Sequence, residues 1–169
     1  MPTSHPKLCV TRRLPDQTEA RMHDLFDVTL RSEDMPLSQN ELATGIADCD
    51  VFVPTVTDDI DAALIARAGP RLKLIANFGV GVDHIDLKAA HRAGIAVTNT
   101  PGVLTDDTAD MTMALLLSVV RRIRPGVRAL RDGRWEGWAP TSLRGTRIGG
   151  TALGIVGMGR IGRAVAARA

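Results

Sequence analysis

Aromatic side chains and cysteines are scarce in this 169-residue sequence, which has no tyrosine, three phenylalanines, two tryptophans and two cysteines. Cys9 and Cys49 lie far apart and lack a second pair of ligands, which argues against a disulfide framework and against a zinc site. We therefore expect two reduced thiols in a core and no metal site.

The sequence also lacks long apolar stretches. No run approaches the roughly 18 apolar residues of a membrane span, and the segment Met1–Lys7 has no apolar core of the kind found in secretory signals. These absences predict a cytoplasmic protein that makes no contact with a membrane.

Charge is distributed unevenly along the chain. Residues 1–120 hold 10 basic and 17 acidic side chains, whereas residues 121–169 hold 11 basic and 2 acidic ones, for a net charge of +2. A basic tail can indicate nucleic-acid binding, but glycines and tryptophans interrupt these arginines, and charge is the weakest of the features that such binding requires. We expect no nucleic-acid partner.

Short apolar runs alternate with segments of helical period between Lys7 and Asn99, a pattern typical of a parallel sheet with helices on its faces. Five strands and four helices in alternation predict an α/β fold, with a flavodoxin-like domain over residues 1–99. The predicted strands are Leu8–Val10, Val28–Leu30, Val51–Val53, Leu72–Ala76 and Ile95–Val97.

Two helices carry start signals. Asp16 is followed three residues later by Glu19, and Ser38 by Glu41, in the spacing of a capping box that satisfies the first free N–H groups of a helix. These pairs predict helices that begin near residues 17 and 39.

Two further helices carry end signals. The helix that contains residues 62–65 is predicted to end at Gly69 and Pro70, because glycine adopts the left-handed cap and proline cannot continue the helix. The helix over residues 87–93 is predicted to stop at Gly94 for the same reason.

Residues 100–169 are interpreted as the start of a second domain, because the chain is longer than one typical domain and shorter than two. Thr105 is the predicted N-cap of a long helix that ends at Arg124, before Pro125. The wide apolar side of this helix predicts burial in a core or against a partner subunit.

Residues 125–150 are predicted to form an irregular, extended arm that carries Trp135 and Trp138. Large apolar side chains with a polar N–H are typical of interface anchors. Packing of both tryptophans within their own subunit is the alternative.

A glycine motif follows the arm. A predicted strand over residues 152–156 leads into Gly157-x-Gly159-x-x-Gly162 and then a helix, which is the context of a dinucleotide-binding fingerprint. The first glycine permits the tight turn, the second admits the cofactor pyrophosphate, and the third lets the helix pack on the strand. The candidate cofactor-binding residues here are Gly157, Met158, Gly159, Arg160, Ile161 and Gly162.

The fingerprint predicts that residues 100–169 are the truncated start of a Rossmann nucleotide-binding domain. It also predicts NAD or NADP as cofactor, with its phosphates at the N–H groups of the helix start. The residue that holds the adenosine ribose and distinguishes the two would lie about 20 residues further on, past Ala169. A glycine-rich turn without a ligand is the alternative.

Three segments together resemble the D-isomer-specific 2-hydroxyacid dehydrogenases: Asn77–Asp86, Gly94–Asp110 and Leu153–Gly162. Within that family the arm segment Trp135–Thr141 is most similar to glyoxylate/hydroxypyruvate reductases. The resemblance implies NAD(P)H-dependent reduction of a small 2-oxo acid such as glyoxylate or hydroxypyruvate.

The resemblance also implies site residues. Residues 1–99 would be a substrate-binding domain in which the backbone N–H groups of Val80 and Gly81 hold the substrate carboxylate, since glycines let an anion approach the main chain. The alternative is a strand-to-turn connection that needs glycine for positive φ. Thr108 would lie beside the cofactor, or would bond its own backbone in the first helical turn.

The family's catalytic Arg, its His and the Glu or Asp that holds the His lie later in the family pattern than Ala169. We therefore expect no catalytic residue in this chain, which is interpreted as an N-terminal fragment without activity of its own. His84, between Asp83 and Asp86, is expected to face solvent or to cap, not to bind a metal.

The family forms two-fold dimers through the long helix and the arm, so the resemblance implies a homodimer. Two other readings stay open from the sequence: a non-catalytic binding or dimerisation module, and a corepressor-like scaffold.

Overall fold

Five short strands form one parallel sheet in the computed structural model, which describes residues 5–169. The strand order is β2-β1-β3-β4-β5, the flavodoxin-like order, as predicted. The segment Met1–Lys7, in which no secretory signal is expected, lies partly outside these residues. The strands are β1 Lys7–Val10, β2 Asp27–Thr29, β3 Val51–Val53, β4 Leu74–Ala76 and β5 Ala96–Thr98.

Strands β4 and β5 begin later than their apolar runs. The Leu72 N–H bonds to the carbonyl of Gly69, and the Ile95 N–H bonds to the carbonyl of Ala90, so both residues close turns. Both side chains are buried all the same. The buried apolar residues therefore indicate roughly where each strand lies. The first residue of the strand is decided by where hydrogen bonding to the neighbouring strand begins.

The helices of this first unit are α1 Asp16–Leu25, α2 Gln39–Ala47, α3 Ala62–Ile65 and α4 Leu87–Arg92. The capping box of Ser38 and Glu41 is confirmed, with both reciprocal hydrogen bonds present. The one predicted at Asp16 is wrong, because Pro15 is the N-cap and no side chain caps the helix. Glu19 instead accepts from the Leu14 N–H at 2.7 Å.

Gly69 does not cap a helix. Helix α3 ends four residues earlier, at Ile65, and Gly69 is absent from the residues with positive φ. A methyl group on Gly69 would overlap the carbonyl of Ala47, so close approach to α2 explains this glycine. Gly94, by contrast, has φ +70 and terminates α4 as predicted.

The sheet has different packing on its two faces. Helices α2, α3 and α4 cover one face over the larger core, with Phe52 and Ile75 pointing into it. The other face packs Leu8, Val10 and Val53 in a smaller cluster against side chains of α1. Alternate strand residues point to opposite faces, which explains the division.

Both cysteines of this first unit are free thiols. Cys49 is buried in the larger core, and Cys9 is half-buried against it. This arrangement confirms the prediction of core thiols.

The chain divides at Pro101 and Gly102, and the second unit runs from Gly102 to Ala169. Within it, the structure shows helices and no strand: α5 Thr105–Val120, α6 Ile123–Arg131 and α7 Arg160–Ala166. The strand predicted over residues 152–156 is not formed, because a strand requires a hydrogen-bonded neighbour.

The long helix differs from its prediction at both ends. Leu104, not Thr105, is the N-cap, and α5 ends at Val120 instead of Arg124. Arg122 adopts φ +56 and starts a separate helix, α6, over part of the predicted arm. Pro125 is the third residue of α6, where its missing N–H costs nothing because no intrahelical acceptor exists there.

Among residues 5–169, none of the helices combines the length and the hydropathy that crossing a bilayer requires.

Candidate functional site

Polar residues follow several strands of the sheet at the edge where their carboxyl ends meet. Thr11 follows β1, Asn77 follows β4 and Asn99 follows β5. In open parallel sheets this edge is where ligands bind. The loop Gly79-Val80-Gly81 lies here, directly after Asn77 and Phe78.

All three carbonyl groups of this loop are occupied. The Gly79 carbonyl accepts from the Thr100 N–H at 3.0 Å and from Asn77 Nδ2 at 3.1 Å. The Val80 carbonyl accepts from Asn99 Nδ2 at 2.8 Å, and the Gly81 carbonyl accepts from Asn77 Nδ2 at 2.8 Å. The acceptors of the loop are therefore satisfied by its own scaffold.

Two N–H groups of the same loop remain free. The Gly79 N–H bonds to the carbonyl of Asn77 at 3.0 Å, but within residues 5–169 neither the Val80 nor the Gly81 N–H has an acceptor. Gly81 is exposed and Val80 is half-buried. Adjacent free N–H groups of this kind bind anions, because their partial positive charges add at one point.

Positive φ does not explain the glycines, since neither Gly79 nor Gly81 is among the residues with positive φ. A Cβ on Gly79 would stand 2.8 Å from Val56 Cγ1, so close packing accounts for it. The nearest atom to a Cβ on Gly81 is Asp83 Oδ2 at 3.7 Å, an ordinary contact. Glycine at 81 therefore leaves open space in front of the loop.

Asn77 is the centre of the loop's support. The residue is 3% exposed, and besides its two bonds to loop carbonyls its Oδ1 lies 3.0 Å from His84 Nε2. The expectation that His84 faces solvent or caps a helix is wrong, because its ring is half-buried and contacts this amide. Among the described residues, no three His, Cys, Asp or Glu side chains converge on a metal-sized site.

A second polar cluster supports the loop from the side of β3. The Phe78 N–H bonds to the carbonyl of Pro54 at 2.9 Å. Just beyond, the Asp58 carboxylate, 2% exposed, accepts from the Thr11 hydroxyl at 2.5 Å and from the Thr55 N–H at 2.7 Å. This cluster holds the ends of β1 and β3 together beside the loop.

Sequence reasoning missed Asn77, Asn99 and Asp58. For Asn77 and Asn99 the signal available was their position, since a polar residue directly after a buried strand lies at the carboxyl edge of a parallel sheet. Asp58, five residues after β3, carried no such signal.

The glycine motif lies in the second unit. Gly157 has φ +97, as a tight turn requires, and Gly159 is the N-cap of α7 with open space around its α-carbon. Gly162 lies against the carbonyl of Gly157, so it closes the turn on itself, whereas packing on a strand was expected. Met158, Arg160 and Ile161 are exposed around this turn.

A cavity of about 380 Å³ borders the motif, and Gly157, Ile161 and Gly162 line it together with Thr112 of α5. Thr108 lies one helical turn before Thr112, is exposed, and its hydroxyl bonds to nothing within residues 5–169. The Thr112 hydroxyl donates to the Thr108 carbonyl instead, at 2.8 Å. The Thr108 hydroxyl does not bond the backbone of its own helix.

Arg168 ties the glycine motif's helix to α5. Its guanidinium bonds Asp110 at 2.5 Å and Asp106 at 3.0 Å, and these carboxylates raise the pKa of Arg168. Both acidic residues lie in the first two turns of α5, near the positive end of its dipole.

Comparison with known proteins places this geometry in a family. Residues 8–167 match the model for the D-isomer specific 2-hydroxyacid dehydrogenase catalytic domain. The glyoxylate reductase of Korarchaeum cryptofilum is 43% identical over 165 residues, which cover 97% of this chain and 49% of that protein.

Two solved structures show the same fold. A putative D-isomer specific 2-hydroxyacid dehydrogenase, NAD-binding, from Polaromonas sp. superposes with a TM-score of 0.90 at 41% identity, over 97% of this chain and 51% of that one. The NADPH-dependent glyoxylate/hydroxypyruvate reductase of Sinorhizobium meliloti, solved with NADP and malonate, gives 0.80 at 32% identity, over 98% and 50%. The chain thus spans about half the length of the relatives it matches, and over that half it belongs to the D-isomer-specific 2-hydroxyacid dehydrogenase family.

Proposed function

We propose that this chain supplies the substrate-carboxylate loop and the cofactor-diphosphate loop of a nicotinamide-dependent enzyme that reduces a small 2-oxo acid, such as glyoxylate or hydroxypyruvate. In this proposal residues 1–99 are the substrate-binding domain and residues 100–169 begin the nucleotide-binding domain. The observation that carries it is the pair of free N–H groups at Val80 and Gly81, on a loop whose carbonyls are all engaged.

The loop suits a carboxylate for a physical reason. A carboxylate accepts hydrogen bonds and carries a negative charge, so it would be repelled by free carbonyls and attracted by free N–H groups. Here the carbonyls point to donors of Asn77, Asn99 and Thr100, and the two free N–H groups are left for a ligand. The Sinorhizobium relative, solved with the dicarboxylate malonate, agrees with this class of ligand.

NAD or NADP is the proposed cofactor, held at Gly157, Met158, Gly159, Arg160, Ile161 and Gly162, with Thr108 nearby on α5. The open space over Gly159 and the free N–H groups that begin α7 suit the diphosphate. When bound, the nicotinamide would supply the hydride. The Polaromonas relative is described as NAD-binding and the Sinorhizobium relative as NADPH-dependent, which keeps both cofactors in the proposal.

We propose that the 169-residue chain has no dehydrogenase activity by itself. The family chemistry implied by the sequence needs an Arg, a His and a Glu or Asp that match no position here. Purified chain is expected to show no glyoxylate-dependent oxidation of NADH or NADPH above a buffer control. Turnover by chain free of host enzymes would overturn this part.

The carboxylate loop is tested by titrating the isotope-labelled chain with glycolate and, separately, with ethylene glycol, which has the same shape without the carboxylate. Glycolate is expected to shift the backbone amide signals of Val80 and Gly81 with a saturable dependence, and ethylene glycol to leave them in place. Equal responses to both, or none to glycolate, would contradict the proposal.

A non-catalytic binding or dimerisation module remains a second candidate, favoured by the exposed apolar surface of the second unit. It shares the carboxylate site with the first proposal but requires no cofactor. Calorimetry of the 169-residue chain with NADH distinguishes the two, because only the first proposal expects the cofactor to bind.

A further inference from the structure

We propose that His84, in the form protonated at Nε2, is a positioning residue that sets the orientation of the Asn77 amide and through it keeps the Val80 and Gly81 N–H groups free. This inference rests on the proposed function of the loop. In it, His84 and Asn77 hold the loop in its binding geometry.

The amide of Asn77 has one orientation that satisfies its neighbours. Nδ2 carries two hydrogens, and the two carbonyls it faces, those of Gly79 and Gly81, lie at 3.1 and 2.8 Å. Carbonyls only accept, so Nδ2 must face them, and Oδ1 must face His84. The hydrogen between Oδ1 and Nε2 at 3.0 Å then belongs to the histidine.

The backbone that carries the His84 ring is fixed in place. Its carbonyl accepts from the Ile60 N–H at 2.8 Å, and the next residue, Ile85, is buried and paired with Ile60. The donor therefore approaches Asn77 from a segment that is fixed in the core of the first unit. A water molecule that donated to Asn77 in its place would not be held in one direction.

Loss of this donor would act on the loop. Asn77 is almost completely buried, so its Oδ1 would be left without a partner, and a flipped amide would place Oδ1 against two carbonyls. The flipped amide releases the Gly79 and Gly81 carbonyls from Nδ2, and the loop can then turn its own N–H groups away from a ligand.

The test compares three variants of the 169-residue chain with the wild type. His84→Leu removes the donor at similar size, His84→Gln keeps an N–H near the position of Nε2, and His91→Leu changes an exposed histidine on α4 as a control. The first readout is the protonation pattern of the His84 ring by NMR, which needs no variant. We expect hydrogen on Nε2, and a ring protonated only on Nδ1 would overturn the proposal.

The second readout is solvent exchange of the Asn77 side-chain amide protons. We expect His84→Leu to accelerate it at least roughly tenfold, as loss of one hydrogen bond to a buried group implies, with His84→Gln and His91→Leu near wild type. Unchanged exchange in His84→Leu, or no rescue by His84→Gln, would contradict the role of His84.

The third readout is glycolate affinity, which we expect to fall roughly fivefold to tenfold in His84→Leu alone. If wild-type chain binds no glycolate, the function proposed for the loop fails, while ring protonation and amide exchange still decide the role of His84. If glycolate binds equally to wild type and His84→Leu, the positioning role fails and the carboxylate site stands.

Discussion

The α-carbon of Gly162 lies against the carbonyl oxygen of Gly157, five residues earlier. Any side chain at position 162 would overlap that oxygen. The turn of the glycine motif is therefore closed by contact between two backbone segments, in addition to the positive φ of Gly157. The neighbouring Gly159 meets no such neighbour, so the glycines of one motif are required for different reasons.

Gly162→Ala is expected to destabilise the turn, because the added methyl forces a backbone shift that costs about 1–3 kcal/mol. Gly159→Ala is the matched control, since its methyl would find no atom within 4 Å. Urea unfolding of both variants checks the difference. Equal losses of unfolding free energy would contradict the steric explanation.

Asp50→Asn is expected to make the unfolding free energy of the first unit depend less on pH in the acid range. Arg71 donates two hydrogen bonds to the Asp50 carboxylate, and the Lys7 N–H donates a third, which together lower the pKa of Asp50 below its usual value of about 3.8. A carboxyl whose pKa is lower in the folded state stabilises the fold above the unfolded value and loses that contribution as pH falls through the folded value.

The measurement is the free energy of unfolding in urea between pH 5 and pH 2, compared with wild type. Asp16→Asn, an exposed carboxylate that contacts Arg13 at the start of α1, serves as control and should follow the wild-type curve. An Asp50→Asn curve as steep as that of wild type would refute the assignment.

Cys49 is expected to make the fold sensitive to alkaline pH. Burial raises the pKa of its thiol to about 12 from an ordinary value of about 9. The contribution to stability is therefore complete below about pH 9 and is lost as pH rises toward 12. The chain has no tyrosine, so few other groups titrate in that window.

Unfolding free energies of wild type and Cys49→Ala at pH 8 and pH 10.5 test this expectation. The alanine variant starts less stable because it leaves a small cavity, but it should lose less stability between the two pH values. A loss of the same size in both proteins would show that Cys49 is not the responsible group.

The second unit is expected to form a homodimer through α5. Met111, Leu115 and Val119 recur every four residues along one side of this helix and are 60%, 59% and 75% exposed, and Trp138 is 84% exposed. Large apolar side chains left this exposed along one side of a helix are typical of an interaction site. We propose that a second copy of the chain covers these residues, as the dimer implied by the sequence resemblance would.

Sedimentation equilibrium checks the dimer with the double variant Leu115→Glu/Val119→Glu, which should be a monomer because charges would be buried at the contact. Val103→Glu, at an exposed apolar residue just before α5, should stay dimeric. A monomeric wild type at micromolar concentration, or a dimeric double variant, would refute this interface.

Much of the first unit was predictable because its signals are local. The run Val51–Val53 is a strand at its predicted bounds, and the pair Ser38 and Glu41 starts α2 as its spacing indicates. Pro125 misled, since proline is compatible with the first turn of a helix as well as with the end of one. The helix is broken instead at Arg122, which adopts a left-handed conformation. The residue types at this position do not predict that conformation.

The sequence by itself determined the α/β class, the five-stranded sheet, the family and the position of the glycine motif, because periodicity and short motifs act over neighbouring residues. Only the tertiary structure decided which groups of the Gly79–Gly81 loop are free, since its carbonyls are bonded by Asn77 and, from about twenty residues further along the chain, by Asn99 and Thr100. It also decided that His84 supports Asn77 and that residues 152–156 form no strand. Tertiary packing selects hydrogen-bond partners that are distant in sequence. Local sequence patterns do not predict that packing.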